Sequence, residues 1–163
     1  MSGPLFRYFV RDHARLEGLL RKSVEKPGEV DRATFDLFRQ GLLTHLAVEE
    51  KVLMKAARAA NGGKPVGADV RLGLEHAAIA ALLVVTPNRE RVAQLREILD
   101  SHHHFEEDPG GLYDQCQRLL DGKTDELLEL ALKYPQPRAA AYRDTPAALR
   151  HVEVSLAALH RPA

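Results

Sequence analysis

Three features of the sequence predict an all-α protein. Apolar and polar residues do not alternate with the period of two that marks a half-buried strand. Long stretches are rich in Leu, Ala, Glu and Arg, which favour helices, and Gly and Pro fall in clusters between them. Within the long stretches apolar residues recur every three or four positions, as they do on one face of a helix.

The Gly and Pro clusters place the helix boundaries. Pro4 suits the start of a first helix, and the segment KPGE ends it. Asp31 is a favoured N-cap residue for a second helix, which the segment NGGKP stops near residue 60. The predicted helices span about 4–25, 31–60, 66–85, 88–107, 111–121, 124–133 and 146–160.

The order and length of these helices predict a topology. The first four are long and joined by short connections, which favours antiparallel neighbours. Residues 1–107 are therefore expected to form an up-down-up-down four-helix bundle, and residues 108–163 a C-terminal helical extension. His151 and His160 are expected on the surface, beside an apolar stripe that packs on the bundle or, in a dimer, on another subunit. That stripe contains Leu149, Val152, Leu156 and Leu159.

Composition argues against several classes of partner. Lys plus Arg equals Asp plus Glu at 23 each, which gives no reason to expect nucleic acid or an anionic membrane surface. No apolar run approaches the roughly 18 residues of a membrane span, and the N-terminus lacks the apolar core of a signal peptide. The single cysteine, Cys116, cannot form an internal disulfide and is expected in the core. A cytoplasmic protein is predicted.

A histidine interrupts the apolar seam of each of the first four helices. The four are His13, His45, His76 and His102. One histidine on an apolar face is usually a core residue with a hydrogen-bond partner, but four in four helices need a common explanation. Counted from the turns near residues 28, 63 and 87 at ~1.5 Å per residue, the histidines fall in one band near mid-height. Glu49 and Glu106 fall in the same band.

The fourth helix offers two competing His/Glu pairs four residues apart. Extending the pair His102 and Glu106 back along the helix meets apolar residues, whereas extending His103 and Glu107 meets a polar face. The first pair is therefore predicted to point inward. His103, His104 and Glu107 are expected on the surface or just outside the site.

This buried polar band is expected to bind metal ions. Several imidazoles and two carboxylates are costly to bury without a compensating positive charge, which a metal supplies. Nitrogen and oxygen ligands suit iron, zinc or manganese. On the second helix Glu49 follows the seam, whereas Glu50 rotates away from it. Carboxylates on facing helices can bridge two ions and leave coordination positions open. The predicted ligands are His13, His45, Glu49, His76, His102 and Glu106.

These residues resemble the hemerythrin-like, or HHE cation-binding, family. The matching segments are RDHARLEGLL, HLAVEEKVL, LEHAAIAALL and HHHFEE, and they lie within residues 5–107. The resemblance implies a non-haem centre of two irons bridged by an oxo or hydroxo group, with zinc or manganese as substitutes. It makes Glu49 and Glu106 the bridging carboxylates. It assigns the histidines to the irons in pairs, His13 with His45 and His76 with His102.

The resemblance also implies a range of functions. Members of the family bind dioxygen reversibly, sense oxygen or iron, store iron, or handle nitric oxide and peroxide. The expected function is therefore binding or sensing of such a small ligand, or iron handling. A di-iron oxidase or peroxide-consuming enzyme is one alternative, and a helical interaction module without metal is another.

The sequence departs from the oxygen carriers at one ligand. They have a further histidine one turn after the histidine of the third helix, where this chain has Ala80. Glu17 is one candidate for that position, although the favoured interpretation of Glu17 is a partly exposed glutamate; His103, a water or a residue from 108–163 are the other candidates. Simple reversible oxygen carriage is therefore not expected, because it depends on the full imidazole set.

Overall fold

The computed structural model describes residues 3–67 and 69–162, and over these residues it is all-helical without strands. The helices are α1 Pro4–Lys22, α2 Arg32–Val48, a π-helix Glu49–Met54, α3 Lys55–Ala60, α4 Asp69–Val84, α5 Arg89–Glu107, α6 Leu112–Leu119, α7 Thr124–Leu132 and α8 Pro146–Leu159. Each predicted helix is present within a few residues of its expected ends. The expected first turn of the third helix includes residue 68, which lies outside the described residues.

Capping side chains explain several helix starts. Asp31 accepts a hydrogen bond from the Thr34 backbone N–H at 3.2 Å, as its predicted N-cap role requires. Asn88 accepts from the backbone N–H of Arg91 at 2.9 Å at the start of α5. These bonds satisfy N–H groups that have no partner within the helix.

Two apolar clusters form the core, and the predicted histidines lie between them. On α1, Phe9 belongs to one cluster and Leu16 to the other, with His13 between them. On α5, Leu99 and Phe105 flank His102 in the same way. The polar residues therefore form a layer across the interior. Each cluster can be dry while the layer between them carries the buried charge.

The last helix packs on the same chain. α8 lies against α4, α4 lies against α5, and α1 contacts α2, α5 and α7. Three leucines of the predicted stripe pack against the cluster that contains Leu16, and Val152 is buried there. His151 and His160 are exposed, and Cys116 is buried, as expected. Of the two expected positions for the stripe, packing on the chain itself is the one observed.

The rotation of α4 differs from the prediction. Gly73 and Ala80, expected on the inner seam, are exposed, whereas Glu75 and Ile79 are buried. α4 is apolar around most of its circumference because α8 covers it on one side and α5 on another. With apolar residues on several faces, the spacing pattern does not single out the face that bears His76.

No helix among the described residues is long and apolar enough to cross a membrane.

Candidate metal centre

The six predicted ligands converge in the polar layer. Five of them are at most 3 % exposed, namely His13, His45, Glu49, His102 and Glu106. The side chain of His76 is 15 % exposed and forms the wall nearest to solvent. They come from α1, α2, the π-helix, α4 and α5.

Their inner atoms form two groups. In the first, Nε2 of His13 lies 3.0 Å from Nε2 of His45 and 3.3 Å from Oε2 of Glu106. In the second, Nε2 of His76 lies 3.3 Å from Nε2 of His102 and 3.6 Å from Oε2 of Glu49. Donor atoms that bind one ion at about 2.1 Å lie roughly 3.0 to 3.4 Å apart, so the three shorter distances match ligands of shared ions and the His76 to Glu49 distance is slightly longer.

The two glutamates each reach both groups. Oε1 of Glu106 lies 2.9 Å from Nε2 of His102, while its Oε2 faces His13. Glu49 directs Oε2 to His76, and its Oε1 lies 3.3 Å from the Tyr113 hydroxyl beside the first group. One oxygen towards each group is the arrangement that a bridging carboxylate requires.

A second carboxylate lies behind each imidazole. In each case it contacts Nδ1, the nitrogen that points away from the centre. The pairs are Asp12 with His45 at 2.9 Å, Glu50 with His76 at 3.0 Å, Glu75 with His102 at 2.8 Å and Glu107 with His13 at 2.5 Å. An ionised carboxylate only accepts hydrogen bonds, so each Nδ1 donates and Nε2 is left free to bind a metal.

The outer carboxylates are themselves held in place. Arg15 Nε donates to Asp12 at 2.8 Å, and Arg71 Nε donates to Glu75 at 2.7 Å. Burial favours the neutral acids, but these arginines and the facing imidazoles outweigh it and lower the pKa of both carboxyls. Sequence reasoning placed Glu107 on the surface or just outside the site but did not find the roles of Asp12, Glu50 and Glu75, because each contacts a histidine of a different helix.

Two buried carboxylate oxygens at the centre have a partner only where the facing imidazole nitrogen carries a proton. They are Oε2 of Glu49 and Oε1 of Glu106, the atoms that face the second histidine pair. With Nδ1 of each histidine donating outward, imidazole lone pairs would face carboxylate oxygens, which repel. A proton or a metal ion between them removes the conflict. The donor set therefore fits a metal.

The pKa values show which groups at the centre hold a proton in the metal-free protein. Burial opposes the charge on His102, but Glu106 and Glu75 outweigh it and raise its pKa to about 10. The pKa of His76 rises to about 9 because Glu49 and Glu50 outweigh burial in the same way. Burial and the neighbouring Glu49 carboxylate raise the pKa of Glu106 to about 8.

The first histidine pair behaves differently. Burial and the neighbouring His45 lower the pKa of His13 to about 2, so His13 is neutral in the folded chain. A neutral imidazole is the form that binds a metal. Protons are thus held mainly on the His76 and His102 side.

The π-helix places two carboxylates at the centre. It starts at Glu49, which is fully buried, and the next residue, Glu50, reaches Nδ1 of His76. A π-turn is wider than an α-turn and is common at functional sites. Glu50 was expected to point away from the seam. It does not join the inner atoms, but it holds an inner imidazole in place.

His103 and Glu107 lie closer to the centre than a surface position. The His103 ring stacks on that of His13 at 3.8 Å between centroids, and Glu107 bonds to the same ring. His13, His103 and Glu107 form a separate outer group that could hold an ion. It would compete for His13, and its members are less buried than the inner atoms. His104 is 69 % exposed, as expected.

The positions expected near the missing ligand do not reach the centre. Ala80 is exposed, so its side chain lies at the surface and not on the buried ligand seam where it was expected. Glu17 is also exposed and lines a separate cavity of about 430 Å³ with His103. The rotation of α4 described above explains why position 80 was wrongly placed.

Tyr113 on α6 enters the centre instead. Its side chain is fully buried, and its hydroxyl lies 3.2 Å from Nε2 of His13 and 3.2 Å from Oε2 of Glu106. Burial and the two carboxylates raise its pKa, so it is protonated in the metal-free protein. Nothing in the spacing of α6 marks this tyrosine as different from a core aromatic.

A cavity of about 650 Å³ adjoins the second group. Glu49 and His76 form its inner wall, and Met54, Leu72 and Leu112 contribute apolar surface. A small solute can therefore reach the His76 side of the centre without crossing the core.

Compared with known proteins, the chain matches no family model, no curated protein and no solved structure.

Proposed function

We propose that the chain is a carboxylate-bridged di-iron protein of the hemerythrin-like type. α1, α2 with its π-helix, α4 and α5 form its up-down-up-down four-helix bundle, and α6 to α8 form an extension. Zinc or manganese are the substitutes that the same ligands accept. When bound, the ions supply Lewis-acid and redox chemistry, and the chain supplies their ligands and the path for a small molecule.

The observation that carries this proposal is the direction of the two carboxylate oxygens in each glutamate. Each directs one oxygen to the His13 side and the other to the His76 side. A single ion would need only one of these groups, and a metal-free interaction module would need neither. Two buried carboxylate oxygens that face imidazole nitrogens in the same centre support the same conclusion.

The proposed role is binding or sensing of a small ligand in the cytoplasm, such as dioxygen, nitric oxide or peroxide, or iron handling. The cavity ends at Glu49 and His76, so the ion on that side is the accessible one. His76 is also the most exposed of the four imidazoles. A ligand that enters there would meet His76 and Glu49, which would hold the ion, before it meets the core.

The size of the cavity favours a second candidate function. A volume of about 650 Å³ is far larger than a diatomic molecule needs, and Lys51 and Lys55 are among its lining residues. An oxidase or peroxide-consuming enzyme would use such space for an organic or peroxide substrate. Turnover by the iron-loaded protein, in contrast to stoichiometric binding, separates this candidate from the first.

Metal analysis of protein purified without chelators tests the proposal. We expect about two irons per chain after loading in air, with near-ultraviolet absorption from an oxo or hydroxo bridge. Glu49→Ala should lose most of the metal, and Glu97→Ala, an exposed position on α5, should retain it. One tightly held zinc without iron uptake would contradict the di-iron centre.

A further inference from the structure

We propose that Tyr113 is itself a metal ligand, bound through its phenolate oxygen to the ion on the His13 and His45 side. This inference rests on the proposed metal centre and adds a residue to it. The phenol lies outside the four helices that carry the predicted ligands, at the start of α6.

The position of the hydroxyl oxygen carries the inference. It lies 3.2 Å from Nε2 of His13, 3.2 Å from Oε2 of Glu106 and 3.3 Å from Oε1 of Glu49. The first two of these atoms belong to the first group, and Oε1 of Glu49 is the oxygen of that glutamate that does not face His76. Atoms that share an ion at about 2.1 Å lie roughly 3.0 to 3.4 Å apart, so the phenol oxygen has the spacing of a further ligand.

A hydrogen-bonding role alone leaves contacts unexplained. The hydroxyl can accept a proton from a neutral Glu106, but it has a single proton to donate, and both Oε1 of Glu49 and Nε2 of His13 lie within reach of it. The side chain is fully buried, so no water outside the centre replaces the missing donors. Its ring is held by Phe6 at 5.8 Å and Phe9 at 5.5 Å between centroids, which fixes the oxygen at the centre.

The chemistry of the donor favours an oxidised ion. On metal binding the phenol loses its proton to solvent, and the phenolate contributes one negative charge beside the carboxylates. A bound cation reverses the effect of those carboxylates, which otherwise keep the phenol neutral. Hard anionic oxygen donors stabilise the higher oxidation state of iron. Tyr113 would thus be a further ligand of the ion on the His13 side, whereas the cavity makes the ion on the His76 side accessible.

Spectroscopy of the full-length protein tests this ligand with two metals. Loading with Fe(III) should produce a visible charge-transfer band from phenolate to iron, and Raman excitation into the band should enhance phenolate ring modes. Loading with Zn(II), which is colourless, should produce the ultraviolet difference spectrum of one ionised tyrosine per chain. Tyr113→Phe should lose both signals, while Tyr8→Phe, at a half-buried tyrosine of α1, should keep them.

The outcomes separate this inference from the proposed function. Wild-type protein that binds iron or zinc without a tyrosinate signal would overturn the ligand role of Tyr113 and leave the metal centre intact. Signals that persist in Tyr113→Phe would do the same. Wild-type protein that binds neither metal would overturn the proposed function. The Raman result on wild-type protein stands even if the variant does not fold.

Discussion

At the scale of single residues, the centre depends on which nitrogen of each imidazole faces inward. Four outer carboxylates decide this by accepting from Nδ1, and two of them, Asp12 and Glu75, are held by arginines. A ligand histidine with a free ring could rotate and present either nitrogen. The outer layer therefore orients the ligands before any ion binds.

Replacement of one outer carboxylate should weaken metal binding without removing a ligand. Glu75 is 1 % exposed and accepts from His102 Nδ1 at 2.8 Å. We expect Glu75→Gln to lower metal affinity by about 10- to 100-fold, because the amide keeps the shape but loses the charge. Competition with a chromophoric chelator measures the affinity. Glu90→Gln, at an exposed position of α5, serves as the matched control.

Alanine substitutions at three successive histidines should show which face of α5 points to the metal centre. His102→Ala should lose metal, because its Nε2 faces the inner group. His104→Ala should retain the wild-type content, since that side chain is 69 % exposed. His103→Ala should retain the content with lower affinity, because the ring only stacks on His13. Metal loss in His103→Ala but not in His102→Ala would place the ion in the outer group with Glu107.

At the scale of elements, the π-helix connects the metal centre to the apolar cluster that contains Phe6. Its first residue, Glu49, is a ligand, while Val52 and Leu53 lie within the apolar cluster that contains Phe6. A π-turn holds one residue more than an α-turn, so the extra residue is accommodated there and the helix after it keeps its face. Glu49 and the apolar residues Val52 and Leu53 are therefore all buried within this short segment.

Removal of the extra residue should move Glu49 away from its position in the centre. Deletion of Lys51, which is exposed, restores a regular helix; five α residues turn the chain by about as much as six π residues, so the flanking helices keep their faces while Glu49 and Glu50 change direction. We expect the deletion variant to keep its helix content by circular dichroism but to lose metal and stability. Lys51→Ala keeps the register and should behave like wild type. A deletion variant with full metal content would show that the π-turn does not position Glu49.

At the scale of the whole molecule, the centre links stability to pH and to metal. His76 and His102 hold protons with pKa values of about 9 and 10 when folded, against 6.5 for an ordinary histidine. Raised values stabilise the fold below about pH 6.5, and that stabilisation is lost as pH rises through 9 to 10. His13, lowered to about 2, has the opposite sign and favours the fold above its ordinary value.

The metal-free protein should therefore lose stability in alkali. We expect its free energy of unfolding to fall by on the order of 1 to 3 kcal/mol between pH 7 and pH 10. The metal-loaded protein should not show this loss, because the ion replaces the protons, and it should release metal as pH falls. Urea unfolding at both pH values, with and without metal, measures the difference. Equal pH profiles for the two forms would contradict proton and metal exchange at this centre.

The sequence alone determined the helices and the level of the centre. Helix positions follow from local signals, such as Asp31 at an N-cap and the Gly and Pro clusters, and these act within a few residues. His102 and Glu106 were placed inward because the rest of α5 is apolar on one face only. Residues at similar distances from short turns meet in space, which brought the six predicted ligands together.

Tertiary packing decided what local spacing could not. Ala80 is exposed because α8 and α5 share the surface of α4, whose apolar residues mark no single face. Tyr113 lies 100 residues from His13 along the chain, and Glu107 lies 94 residues from it. Each becomes part of the centre only when its helix packs against another. Periodicity states which side of a helix is buried, but the partner across the interface depends on how whole helices are placed.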